Sequence, residues 1–186
     1  MSRVRSVLLV LFAENVAGAR RRPLITEDPE TIGAGRVLVE AGVDYARDAE
    51  YPVSGLEGNL FRFPVIGFSF GISSIAEIQL DGGFFNRLHI SERNPAAPLA
   101  DMVTATGDST SSVEDIVIGT KVRLVPEGVA HPAIGFRFAT KLPNASNESG
   151  IGLDTTNLFA TLLFGKTVRS IRVVGNGGLG ILADPT

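Results

Sequence analysis

The chain has no cysteine, no tryptophan and only two histidines, His89 and His131. The first absence excludes disulfides, thiolate zinc sites and cysteine nucleophiles together. The scarcity of histidine excludes a histidine-rich metal centre. An excess of positive charge is also missing, since 17 basic residues stand against 20 acidic ones and the net charge is −3. A general nucleic-acid binder would carry a basic stripe, so no nucleic-acid partner is expected. No apolar run approaches the roughly 18 residues of a membrane helix, although mean hydropathy is positive at +0.22. What the sequence does have is dispersed apolar residues and 21 glycines among 186 residues. That composition, without helix-length patterns, points to an all-β protein.

The N-terminus carries the three parts of an export signal in order. Arg3 and Arg5 supply positive charge, residues 7–13 a short apolar core, and Ala17-Gly18-Ala19 a small-x-small cleavage pattern. The expected organisation is a signal peptide over 1–19, a periplasmic N-terminal segment over 20–32 and a β domain over 33–186.

From residue 36 onward the hydropathy alternates with period two, as in strands with one apolar face. Val37, Val39, Ala41, Val43 and Tyr45 alternate with Arg36, Glu40 and Asp44. Ile78 and Leu80 alternate with Glu77, Gln79 and Asp81, and Ile118 and Val122 with Gly119, Lys121 and Arg123. Ile134, Phe136 and Phe138 alternate with Arg137 and Lys141. The stretch 158–165 is apolar on both sides, and 171–181 alternates again, with Ile171 and Val173 against Arg172 and Asn176. The stretch 60–72 loses its alternation near Pro64, where a bulge is expected. About seven strands result. Short connections at 71–74, 126–132 and 166–169 contrast with long ones at 92–113 and 143–156. Transmembrane barrels have that asymmetry.

Alternation has two physical readings. In an exported soluble β-sandwich that binds a ligand or glycan, the apolar face packs inward. In a membrane barrel it faces lipid and the polar face lines the interior. The long strands, the mixed charges of the polar face and the export signal favour the barrel. On that reading Val39, Val43, Ile78, Leu80, Ile118, Val122, Phe136 and Phe138 face lipid. Arg36, Glu40, Asp44, Glu77, Gln79, Asp81, Lys121, Arg123, Arg137 and Lys141 line the lumen and touch solute. Their five cations and four carboxylates should pair across strands. An interior plugged by such pairs, without a channel, is the second form of this reading.

Several motifs resemble those of a family of outer-membrane β-barrel transporters, the MetA-pathway of phenol degradation family. Arg22-Pro23-Leu24, Thr26-Glu27-Asp28 and Gly33-Ala34-Gly35 resemble its mature N-terminus. Phe63-Pro64, Phe70-Gly71-Ile72 and Ala76-Glu77-Ile78 resemble its second hairpin. Glu114-Asp115 with Gly119, Lys121 and Arg123, then Leu142-Pro143 and Gly175-Asn176-Gly177-Gly178, follow in the family's order. The resemblance implies an antiparallel up-and-down transmembrane β-barrel in the outer membrane of a Gram-negative-type bacterium. It implies membrane lipid as a partner and a small aromatic or hydrophobic solute as cargo, with no cofactor and no enzymatic role. Family barrels are larger, bacterial barrels have even strand counts, and this chain does not end in an aromatic residue. A partial, open barrel lacking its last strands is therefore expected.

Two motifs mimic enzyme sites. Gly67-Phe68-Ser69-Phe70-Gly71 matches G-x-S-x-G, but a nucleophile elbow needs a helix after the serine and a strand is expected here. Gly175, Gly177 and Gly180 match G-x-G-x-x-G without a following helix or the distant acidic residue. Glu114 and Asp115 are adjacent, so in a strand at most one would meet the lumen.

Overall fold

In the computed structural model, residues 26–183 are described. The export-signal reading of 1–19 and the first part of the 20–32 segment lie outside them. Nine strands occur: β1 (Val37–Tyr51), β2 (Leu56–Gly71), β3 (Ala76–Gly83), β4 (Asn86–Arg93), β5 (Ser109–Ser112), β6 (Val117–Val125), β7 (Ala133–Lys141), β8 (Asn157–Val168) and β9 (Ile171–Ile181). All belong to one antiparallel sheet that curls into an open half-barrel. β1 and β9 are edge strands that do not pair with each other, and β5, paired only with β4, is a further edge among the described strands.

Seven expected strands and nine observed ones describe the same meander. β3 pairs with the C-terminal half of β2 and β4 with its N-terminal half. β3 and β4 are thus one long strand interrupted at Phe84-Phe85. β6 pairs with β3 and β5 with β4, so β5 and β6 are likewise one strand interrupted at 113–116. β7, β8 and β9 then follow in simple up-and-down order. Two expectations need correction. The sequence reading ends its third strand near Phe84, yet β4 continues it, with Asn86, Leu88 and Ile90 buried. It also takes 92–113 as one long connection, yet Ser109–Ser112 is a strand. Four small hydroxyl residues carry no hydropathy alternation, so nothing local announces that strand.

The bulge expected near Pro64 is present. Gly42 pairs with Val65 and Asp44 with Arg62, so Phe63 and Pro64 together oppose Val43. A bulge of one extra residue exchanges the faces of everything beyond it. Leu56, Leu60 and Arg62 point to the concave side before it, and Gly67, Ser69 and Gly71 after it. The parity of the next strand switches at Phe84-Phe85, and that of the following one at 113–116. Register places these three switches side by side: Phe63 N–H donates to the Phe85 carbonyl at 2.9 Å and Glu114 N–H to the Gly83 carbonyl at 2.8 Å.

This shared level divides the half-barrel into two zones of opposite sense. Above it the inside is apolar. Ala49, Leu56, Leu60, Leu88 and Ile90 form the buried core, covered by Val103 and Ile151 from the two long connections. Arg87, His89 and Ser91 face outward there. Below it the outside is apolar. Val37, Val39, Phe68, Phe70, Ile78, Leu80, Ile118, Phe138, Leu162, Phe164 and Val173 are all exposed. They form cross-strand rows such as Val39–Phe68–Leu80–Ile118. All eight residues expected to face lipid lie on this convex side, Val122 and Phe136 half-buried and paired with each other. At the dividing level stand Tyr45, Phe61, Phe63, Phe84 and Phe85, all exposed.

Candidate functional site

The concave face of the lower zone is lined by charge and by glycine. Glu77, Gln79 and Asp81 on β3 stand beside Gly119, Lys121 and Arg123 on β6, with Arg137 on β7 next. Strand alternation puts these residues on one side, and cross-strand register sets Glu77 against Lys121 and Lys121 against Arg137. Across this face lies residues 26–36, a segment without strand pairing over most of its length. The sequence reading assigns its first residues to a separate periplasmic segment.

That segment is anchored by three carboxylates. Glu27 is 3.0 Å from Lys121 Nζ and 3.1 Å from Arg137 Nε, and it accepts from Gln79 Nε2. Asp28 receives a two-pronged contact from Arg172 on β9, with Nε and Nη2 each donating at 2.7 Å. Glu30 pairs with Arg123. Main-chain contacts add to these. Lys121 Nζ donates to the Asp28 carbonyl at 3.1 Å, and Ile32 N–H donates to Glu77 at 2.8 Å. Between the carboxylates Pro29 is buried against Gly135 and Gly165. A Cβ on Gly135 would sit 3.0 Å from Pro29, and one on Gly165 2.9 Å from it and 2.7 Å from the Arg172 guanidinium. Glycine is therefore the seat on which the segment lies.

The wall completes the network. Lys121 is 3.0 Å from Glu77, and the two residues are only 5% and 1% exposed. Arg137 donates to Gln79 at 2.6 Å and to Asp81 at 3.1 Å. Arg172 also pairs with Glu127 from the β6–β7 connection. Of the ten residues expected to line the lumen, Glu77, Gln79, Asp81, Lys121, Arg123 and Arg137 form this one cluster. Asp44 pairs with Arg62, which also meets Glu114 at 3.0 Å, near the dividing level. Lys141 pairs with Asp115, apart from the cluster. Glu40 faces Gly67 beside Asp81, and Arg36 is exposed just before β1.

One expectation fails here. Glu114 and Asp115 both join wall ion pairs, although alternation allows only one of them inside. The stretch 113–116 lies between β5 and β6 and is not a strand, so the period-two rule does not apply to it. Ser69 sits inside β2 and the next element is β3, which leaves the G-x-S-x-G match without its elbow. Gly175, Gly177 and Gly180 lie within β9.

Sequence reasoning missed Glu27, Asp28, Glu30, Arg62, Glu127 and Arg172 as members of charged pairs. Arg172 was legible as the polar side of the last strand. The acidic run Glu27-Asp28-x-Glu30 was visible, but nothing in it names partners lying 93 and 144 residues away.

Two tests follow from this geometry. Gly165→Val keeps a good strand residue while driving two methyls into Pro29 and Arg172, an overpacking worth about 1–3 kcal/mol. The expected result is an intact sheet with the 26–36 segment displaced. A nitroxide on Thr26→Cys, in a chain with no other cysteine, reads this as a mobile spectrum. The second test is pH. The hydrogen bonds from Arg172 hold the Asp28 carboxyl below its usual value. A depressed pKa in the docked form means docking strength is present above the ordinary carboxylate range and lost as pH falls through it. The same nitroxide should stay immobile at neutral pH and loosen below about pH 4. An immobile label throughout the acid range would remove the Asp28 pairing from the anchor.

No family model, no curated protein and no solved structure matches this chain.

Proposed function

We propose that the chain is a bacterial outer-membrane β-barrel protein whose charged concave face forms a path for small solutes, with residues 26–36 lying in that path. The observation that carries this reading is the reversal of sidedness at one level of the sheet. Below that level the convex positions of the strands hold no charged side chain from Val37 to Val43, Ile66 to Phe70, Ile78 to Gly82, Ile118 to Leu124 or Ile134 to Thr140. A soluble protein has no reason to expose so large an apolar face, whereas lipid demands it. Above the level the sense is that of a protein in water. The exposed cluster of Tyr45, Phe61, Phe63, Phe84 and Phe85 on β1, β2 and the β3–β4 break supports an interface girdle built from phenylalanine where tryptophan is absent. Height agrees as well. The nine residues of β6, at about 3.3 Å each and tilted about 40°, rise about 23 Å, close to the ~25 Å apolar band of such barrels.

The ligand-binding sandwich remains the alternative class. It needs a second sheet packed on the apolar face, and the described strands all lie in one sheet. The experiment is refolding of the chain into detergent micelles and lipid vesicles. The proposal expects lipid-dependent folding, a heat-modifiable electrophoretic shift, and quenching by bromine-labelled lipid of probes at convex positions such as Leu80. A monodisperse, folded protein in buffer without detergent, unquenched by such lipid, would reject it.

A further inference from the structure

We propose that the concave cradle beneath residues 27–30 is a binding site for small carboxylates, dicarboxylates above all, in which the chain's own Glu27, Asp28 and Glu30 act as an internal stand-in. The inference rests on reading the concave face as a solute path, and it names the chemical class which that path selects.

The cradle is built, and it is occupied by carboxylates. Each acidic side chain of the segment meets its own cation: Glu27 meets Lys121 and Arg137, Asp28 meets Arg172, and Glu30 meets Arg123. The Asp28–Arg172 contact is the fork-on-carboxylate geometry that favours planar anions over single point acceptors. The wall does not neutralise these cations by itself. Lys121, Arg123, Arg137 and Arg172 are four cations, and their wall partners Glu77, Asp81 and Glu127 are three carboxylates. Among the described residues Arg123 meets no wall carboxylate, and its Nε is buried without a hydrogen-bond partner. With the segment withdrawn, the positions directly beneath it keep one more cation than carboxylates, so an anion is drawn there in preference to a cation.

The occupant is also displaceable. Residues 26–32 add no strand to the sheet. They hold on through side chains and a few isolated hydrogen bonds, and the Glu30 side chain is still 37% exposed. A dicarboxylate offers two of the same contacts from one small molecule. Competition between ligand and segment follows, and the segment lowers the apparent affinity by the fraction of time it fills the site.

Three four-carbon probes of equal length separate charge from size: succinate, 1,4-butanediol and 1,4-diaminobutane. Calorimetry on the full chain in detergent should show weak succinate binding. The Glu27→Gln, Asp28→Asn, Glu30→Gln variant should bind succinate about tenfold or more tighter, with no gain for the diol or the diamine. Absence of any gain, or an equal gain for the diamine, would overturn the proposal. Should the triple variant not fold, the otherwise native chain labelled at Thr26→Cys serves. Succinate should mobilise the label and butanediol should not, and an unresponsive label would likewise overturn it. Planar-bilayer recording separates this site from the wider reading. Succinate binding without any conductance would remove the solute path and leave the carboxylate site standing. Conductance with cation preference in the triple variant would do the reverse.

Discussion

Val122→Arg is expected to destabilise the lipid-inserted protein by about 2–4 kcal/mol, and Thr120→Leu, two residues earlier on the same face, to be neutral or stabilising. Both side chains point to the convex side of β6, where Thr120 pairs with Ile78 and Phe138, and Val122 with Ala76 and Phe136. On the proposed lipid-facing reading, arginine here must leave water or drag water inward, and among the described residues the neighbouring convex positions Ala76, Ile78, Phe136 and Phe138 offer no carboxylate to meet it. Leucine at 120 only extends an apolar row. For a soluble protein the order would invert, since arginine on an exposed face is harmless and leucine enlarges a sticky patch. Urea titration of vesicle-inserted protein measures both values. Equal effects at the two positions, or a stabilising arginine, would defeat the assignment of this face to lipid.

Lys121→Met is expected to cost about 3–5 kcal/mol, the scale for breaking a buried pair by removing one partner. The ammonium serves Glu77, Glu27 and the Asp28 carbonyl at once. Removing it strands the Glu77 carboxylate, which is 1% exposed, with only hydrogen bonds from Gln79 and Ile32 N–H to stabilise it. The segment loses its central anchor in the same step. Lys121→Met combined with Glu77→Gln should recover a large part of the loss, because the neutral amide oxygen can still accept from Ile32 N–H and no buried charge remains. The double-mutant cycle should therefore show strong coupling between positions 77 and 121. Additive losses would mean that Lys121 acts through packing of its stem and not through charge.

The fold class was legible because strand alternation is a local property. A period of two over Val37–Tyr45 or Ile118–Leu124 needs no knowledge of neighbouring strands, and it already sorts Glu77, Lys121 and Arg137 away from Ile78, Val122 and Phe136. The slip at Phe63-Pro64 announced a bulge for the same reason. Where the local signal vanished the reading failed. Ser109–Ser112 has no apolar partner to alternate with, and Glu114 and Asp115 were judged by a rule that holds only inside strands.

By itself the sequence determined an all-β meander with one charged and one apolar face, since both follow from residue order along a single strand. Only the tertiary structure decided that three separate breaks in alternation, at 63–64, 84–85 and 113–116, stand at one height and reverse the sense of the wall there. Only it decided that an acidic stretch ahead of the first strand lies across cations contributed by β6, β7 and β9. The reason is physical in both cases. Register and long-range ion pairing depend on which strands become neighbours when the sheet curls, and contacts between residues 93 or 144 positions apart leave no trace in any local period.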